Sequence, residues 1–408
     1  MEFKLTTLDN GLRIAAEINP DVASMAMGFF CLTGSRDETP EVAGVSHFLE
    51  HMMFKGTDTR GPLDINREFD EIGADYNAST SEEMTNYYAA VLPEFQDRVI
   101  DLWSDMMRPK LDTDDFNMEK EVILDEIARY EDVPYFRTYV KSMSVFFKGH
   151  PLANDVLGSR ESIGAMTAEN MRGYFERQYS PGNLVLSVAG NFDHDRFVAS
   201  VEQRCGDWKP FDVHRERPDV PGNFETVIET DANLTRQHMI LGSRGPSRTD
   251  DNRYAASVFG SILGSVTNSR LYYALVEPAI ADEAMTYADT LDGAGAMLTY
   301  LSCDPTRAGE VRDIFTREIE KLVAEGPTED EVTTSVNKIA TNVTLGSEMP
   351  MGRMMMVGGE QLFLGTYSTP DDILQRYLAV TAESIHDMIR ECDMSQFATV
   401  TLGPAESL

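Results

Sequence analysis

The reading of this chain turns on His47-Phe48-Leu49-Glu50-His51. In a helix, positions i and i+4 share a face, so both imidazoles can be aimed at one ion. Glu50, three residues after His47, falls on nearly the same face. Zinc accepts neutral imidazole nitrogens and, in catalytic sites, keeps one position for water. A bound metal lowers the pKa of that water, and a carboxylate at hand takes its proton. Two histidines with a glutamate one turn away therefore imply hydrolysis, with His47 and His51 as ligands and Glu50 as base. The order HxxEH inverts the commoner HExxH.

Two histidines need a third protein ligand, usually a carboxylate. The pattern predicts a long helix from Asp114 to Tyr130, with Asp112, Asp114 and Asp115 placing negative charge at its N-terminus. Glu119 and Glu126 lie seven residues apart on one face of it. Val122 and Ile123 between them are read as an inward apolar stripe. Buried carboxylates are costly unless paired or metal-bound, which makes Glu126 the candidate third ligand. Glu121 and Asp125 fall on a different, solvated side.

Around these helices the chain alternates between strand and helix patterns. A hairpin is expected from Phe3–Leu8 and Leu12–Glu17, turning at Asp9-Asn10-Gly11. Strands follow at Ser24–Thr33, Ala74–Ser79, Thr85–Val91 and Leu184–Ala189, with the histidine helix over Val42–Met53 and another helix beginning at Pro93. Pro210, Pro218, Pro221 and Gly222 then break the pattern among charged residues, which marks a linker. Beyond it Gln237–Leu241 reads as a strand and Asn252–Leu263 as a helix, and Gly242-Ser243-Arg244 repeats Gly34-Ser35-Arg36. The repeated order implies a duplication whose second copy lacks metal ligands. The expected class is α+β: two homologous domains, each a mainly antiparallel sheet with helices packed on it. The domains are set at 1–210 and 225–408, with a linker at 211–224.

Composition limits the alternatives. The 408 residues carry 35 Lys and Arg against 68 Asp and Glu, a formal charge of −33. Such acidity disfavours nucleic acid and anionic membranes. It either keeps the protein soluble or draws basic peptides. No stretch has the length of apolar residues that a membrane helix needs. Cys31, Cys205, Cys303 and Cys392 are scattered, fitting a reduced, cytoplasmic protein. His150, His194, His214, His238 and His386 are isolated and read as structural or surface residues. The methionine-rich run from Met349 to Met356 reads as core or interface packing.

The run Val45-Ser46-His47-Phe48-Leu49-Glu50-His51-Met52-Met53-Phe54-Lys55-Gly56-Thr57 resembles the core signature of the pitrilysin/insulinase family of zinc metallopeptidases. The length resembles its short two-domain branch, which includes the subunits of mitochondrial processing peptidase. The family's third ligand lies about 75 residues past the second histidine, and here 126 − 51 = 75. Glu119 matches a second family glutamate that supports catalysis. Asn77, Ala78 and Ser79 resemble the edge strand on which the family lays substrate. His150-Pro151-Leu152, Leu157-Gly158 and Tyr179-Ser180-Pro181-Gly182-Asn183 also recur in family patterns.

The resemblance implies a zinc endopeptidase with one zinc ion per chain. Its substrates would be unstructured peptides or extended protein segments. It also implies a dimer, of this chain with itself or with a related subunit. The second half departs from the family at its substrate contacts. Val276 or Glu277 stands where an arginine is expected, and Tyr287 is a displaced candidate for the accompanying tyrosine. That departure keeps open a non-catalytic partner or scaffold subunit.

Overall fold

The computed structural model describes residues 1–218, 220 and 222–408. Asp219 and Pro221, both within the expected linker, lie outside the described residues. The chain divides into two compact units. The first comprises Met1–Ala128, Asn154–Glu216 and Leu345–Ser368; the second comprises Arg129–Ala153, Arg217–Thr344 and Thr369–Leu408.

The first unit is built on six strands: β1 (Glu2–Thr7), β2 (Arg13–Ile18), β3 (Met25–Cys31), β4 (Asp75–Thr80), β5 (Thr85–Val91) and β6 (Leu184–Gly190). Their spatial order is β1-β2-β6-β3-β5-β4. Only β2 and β6 run parallel; the other pairs are antiparallel. Every residue of β3 and β6 is buried, so these central strands read as continuous apolar runs. The second unit has β7 (Thr226–Thr230), β8 (Gln237–Arg244), β9 (Glu283–Leu291), β10 (Ala294–Cys303) and β11 (Ala398–Gly403), in the order β7-β11-β8-β10-β9. Again one pair is parallel, β11 with β7, and the rest antiparallel.

Matched strand for strand, the second sheet is the first without β1. This order carries the duplication, and the repeated tripeptide does not. Gly242-Ser243-Arg244 lies inside β8, whereas Gly34-Ser35-Arg36 follows β3 and enters a single 3-10 turn at Ser35–Asp37.

A cut at the linker does not separate the units. The described residues from Trp208 to Glu225 form neither helix nor strand, and one crossing falls there, between Glu216 and Arg217. Each half also lends a helix to the other half's sheet. Helix Pro134–Phe146 packs on β8 and β11, with Met143, Phe146 and Phe147 in one cluster with Ile240, Leu298 and Val400. Helix Pro350–Phe363 packs on β2, β3 and β6. It carries most of the methionine-rich run: Met354 is fully buried beside Phe30, Ala26 and Val185, Met351 and Met355 pack partly buried against the same cluster, and Met349, just before the helix, is exposed. Arg353 binds Glu17 through two bonds of 2.8 and 2.5 Å. At Gly358 the backbone lies on the Phe30 ring, and an added Cβ would come within 2.4 Å of it.

Candidate metal centre

The histidine helix runs Val45–Met52, three residues shorter at its start than the pattern predicts. Gly44 adopts a left-handed φ of 88° and ends the helix there; Pro40–Val42 forms a separate 3-10 turn. Its N-terminal donors are held by a buried side chain. Glu38 accepts from the backbone of Gly44 at 2.6 Å and of Ser46 at 2.7 Å. Phe48, Leu49 and Met52 bury the apolar face, while Glu50 and His51 are half-buried.

The glutamate helix spans Thr113–Glu131. Ile123 and Ile127 are buried, whereas Val122 is 43 % exposed. The inward stripe expected of Val122 and Ile123 therefore reduces to Ile123. Val122 falls with its neighbour Glu121 on the solvated side, because adjacent helical residues diverge by about 100° and Ile123 is turned inward. Glu121 and Asp125 are exposed, as expected.

His47, His51 and Glu126 come together. Oε2 of Glu126 lies 3.9 Å from Nε2 of His47 and 3.5 Å from Nε2 of His51. One ligand atom from each of the three lies within 4.8 Å of the others, and no other such group of His, Cys, Asp or Glu occurs among the described residues. Donors around one tetrahedral zinc at about 2.0–2.1 Å are about 3.4 Å apart, so the set fits zinc. Burial, aided by the charge of His51, pushes His47 down to about 3 and keeps it in the neutral, ligating form. Its Nδ1 is buried with no hydrogen-bond partner among the described residues.

His51 is oriented from behind. Nδ1 meets Oε1 of Glu119 at 2.9 Å, the carboxylate–histidine arrangement that fixes a ligand's tautomer. Burial opposes the charge on His51, but the bond to Glu119 and the carboxylates of Glu126, Glu50 and Glu119 prevail, so its pKa is raised. Glu119 is buried, which favours its neutral form. Bonds from His51 and from Lys55, whose Nζ is 2.5 Å away, outweigh this and lower its pKa.

Glu50 stands beside the triad. Burial raises its pKa, against a hydrogen bond from Thr80 and the charge of His51. The Thr80 hydroxyl donates to Oε2 of Glu50 at 2.6 Å. Thr80 ends β4, which pairs only with β5 and so forms the sheet's edge. Asn77, Ala78 and Ser79 lie on that strand. The side chain of Asn77 accepts from the backbone of Ala78, and the hydroxyl of Ser79 donates to Asn86 at 2.6 Å.

Tyr287 is not part of this cluster. It lies on β9 in the second unit, its hydroxyl 3.4 Å from that of Tyr135. Arg270, the nearest cation to the missing family arginine, is held by Glu331 at 2.6 and 2.9 Å. The sequence places Thr80 in the run Asn77–Ser81 that resembles the substrate edge strand, and Lys55 in the signature run, but points neither side chain at Glu50 or Glu119. Lys55 falls four residues after His51, a spacing that could have pointed to it; Thr80's contact with Glu50 crosses from strand to helix and leaves no periodic signal.

Two units of the same strand order, one of them carrying a histidine–histidine–glutamate cluster, fit a class of metallopeptidase-like proteins. Residues 13–160 match the family described as Insulinase (Peptidase family M16), and residues 165–339 match the Peptidase M16 inactive domain. The chain belongs to the insulinase (M16) peptidase family. An uncharacterized zinc protease of Mycobacterium leprae is 33 % identical, covering 98 % of this chain and 92 % of its own. One from Bacillus subtilis is 32 % identical over 100 % and 99 %. A protease from Helicobacter pylori shares the fold at a TM-score of 0.91, with 20 % identity and 99 % of each chain covered. The same fold occurs in a peptidase M16 inactive domain structure from Pseudomonas fluorescens, at a TM-score of 0.92 and 15 % identity over 100 % and 99 %. Among the described residues no helix is long and apolar enough to cross a membrane.

Proposed function

We propose that this protein is a zinc-dependent endopeptidase acting on unstructured peptides or extended protein segments, with one zinc per chain. The convergence of His47, His51 and Glu126, with Glu50 beside them, carries this reading. A zinc ion held by those three side chains would polarise the scissile carbonyl and acidify a bound water. Glu50, which is no ligand in this scheme, takes the proton of the attacking water and returns it to the leaving amine. Glu119 holds His51 in the tautomer that leaves Nε2 free to ligate. The unpaired edge of β4, with Asn77, Ala78 and Ser79, suits an extended chain that adds as a further strand.

Metal analysis of the purified protein, together with its cleavage of a mixture of unstructured peptides, tests the reading. Bound zinc and hydrolysis that stops on chelation are expected; a zinc-loaded protein that cleaves nothing overturns it. The proposed assembly is a dimer, of this chain with itself or with a related subunit, in the cytoplasm. Light scattering with activity measured across a dilution series tests the dimer, and a fully active monomer excludes it.

A further inference from the structure

Glu50 has three rotatable torsions, and the helix that carries it does not by itself fix its carboxylate. Among the described residues, the one hydrogen bond to that carboxylate comes from Thr80. A working base must be held close to its productive geometry, within about 0.5 Å and 10–20°. Threonine suits the task, since branching at Cβ stiffens its first torsion.

Thr80 is itself firmly placed. It precedes the turn 81–84, closed by Ser81 N–H to Met84 O at 2.8 Å. The backbone of Ser35 and Arg36 donates to Ser81 O and Glu82 O at 3.3 and 2.9 Å. Gly34 lies so close beneath that an added Cβ would come within 2.2 Å of Ser81 O. Buried charges pin the same turn. Arg36 pairs with Glu83, and Arg215 donates to Glu83 O at 2.7 Å while binding Asp37 at 2.8 and 2.6 Å. Thr80 thus links an anchored turn to a carboxylate that its own helix does not fix.

We propose that Thr80 is a positioning residue for Glu50, its hydroxyl holding the carboxylate in the orientation that accepts a proton from water. The proposal rests on the reading of Glu50 as base. Because Thr80 closes the strand expected to receive substrate, it ties the base to the register of the bound chain.

Thr80→Val is nearly isosteric and removes only the hydroxyl; Thr80→Ser keeps it. The zinc-loaded wild type, both variants and Glu50→Gln are compared for kcat and KM on unstructured peptides, for zinc content, and by crystallography. Thr80→Val is expected to lose about tenfold or more in kcat, with KM within about twofold and zinc unchanged. Thr80→Ser should restore most of the rate. Crystals should show one Glu50 conformer in the wild type and Thr80→Ser, and several in Thr80→Val. Wild-type kcat in Thr80→Val, a Thr80→Ser as slow as Thr80→Val, or a rise in KM alone overturns the proposal. So does an unchanged single Glu50 conformer in Thr80→Val, whatever the activity. Equal rates for the wild type and Glu50→Gln would instead overturn the reading of Glu50 as base, and the crystallographic comparison would still judge Thr80.

Discussion

The two units repeat the same three elements and dress them with different chemistry. In the first, helix Val45–Met52, helix Thr113–Glu131 and β4 surround His47, His51 and Glu126. In the second, helix Arg253–Gly264, helix Glu329–Glu348 and β9 line a cavity of about 760 Å³. Ser257 and Ser261, again four residues apart, face that cavity with Tyr287, Lys338 and Asn342. Gly264 brings the helix onto β9 itself, since an added Cβ would come within 2.4 Å of the Thr286 nitrogen. Lys338 supplies a cation of the chain's own, donating to Thr267 O at 2.6 Å and Ser265 Oγ at 3.2 Å. Duplication kept the scaffold and not the donors, which shows in one molecule that a fold positions chemistry without specifying it.

The largest effect that can break this comparison is loss of metal. His47→Ala or His51→Ala should take bound zinc from one per chain to none and abolish hydrolysis, as should chelation. Full zinc occupancy in either variant would remove that histidine from the ligand set. Glu126→Gln should lower occupancy, while Glu121→Gln, on the exposed side, should not; equal zinc in the two removes Glu126 from the ligand set. Next in size is the base. Glu50→Gln should keep its zinc and lose at least about 10²-fold in turnover. A wild-type rate in that variant would assign proton transfer elsewhere.

These predictions rest on features that the sequence already displays. The HxxEH spacing and the heptad from Glu119 to Glu126 are local, and helical geometry converts them directly into shared faces. The expected long helix, Asp114–Tyr130, differs from the observed one by one residue at each end. Strands β4 and β5 were legible from alternation and apolar runs for the same reason. What was not legible depends on contacts between distant segments. Helices Pro134–Phe146 and Pro350–Phe363 look like ordinary amphipathic helices of their own halves; the exchange shows only in the packing of Met143, Phe146 and Phe147 on Ile240, Leu298 and Val400 for the first, and in the fit at Gly358 and the Arg353–Glu17 pair for the second. The Thr80–Glu50 bond and the cap from Glu38 likewise join segments whose spacing has no period.

That cap supplies a smaller test, because the two corresponding helices start differently. Glu38 is buried and satisfies two backbone donors of the metal helix. In the second unit, exposed Asp250 accepts from the backbone of Asn252 at 2.9 Å, just before helix Arg253–Gly264. Glu38→Ala strands two buried donors and should cost about 2–5 kcal/mol. Asp250→Ala leaves its donor to water and should cost about 0.5–1 kcal/mol. Urea unfolding of both variants measures the difference. Equal losses would show that the metal helix does not depend on its buried cap.

A further test concerns the turns that end the edge hairpins. In the second unit Asp292 meets Arg217 through bonds of 2.9 Å, with Arg217 half exposed. In the first, the turn 81–84 is crowded with buried charge, and Asp155 lies close enough to feel Glu82. Burial, with the repulsion of Glu82 added, pushes the Asp155 carboxyl from 3.8 up to about 6, although the Leu157 backbone bond pulls the other way. Between those values the folded protein holds more protons at Asp155 than the unfolded chain does. Stability from this group is therefore complete below about pH 3.8 and is lost as pH rises through about 6. Asp155→Asn keeps an acceptor for Leu157 and removes the charge. It should stabilise the protein at pH 7 by up to about 3 kcal/mol and flatten the fall in stability between pH 4 and pH 6. Asp292→Asn should remove one charge of an ion pair whose arginine is exposed to solvent, although the Asp292 side chain is only 12 % exposed, and change stability by about 1 kcal/mol. Unfolding free energies of both variants from pH 4 to pH 8 check this. If Asp155→Asn destabilises the protein at pH 7, the Asp155 carboxylate is a favourable partner in that turn and not a buried charge the fold tolerates.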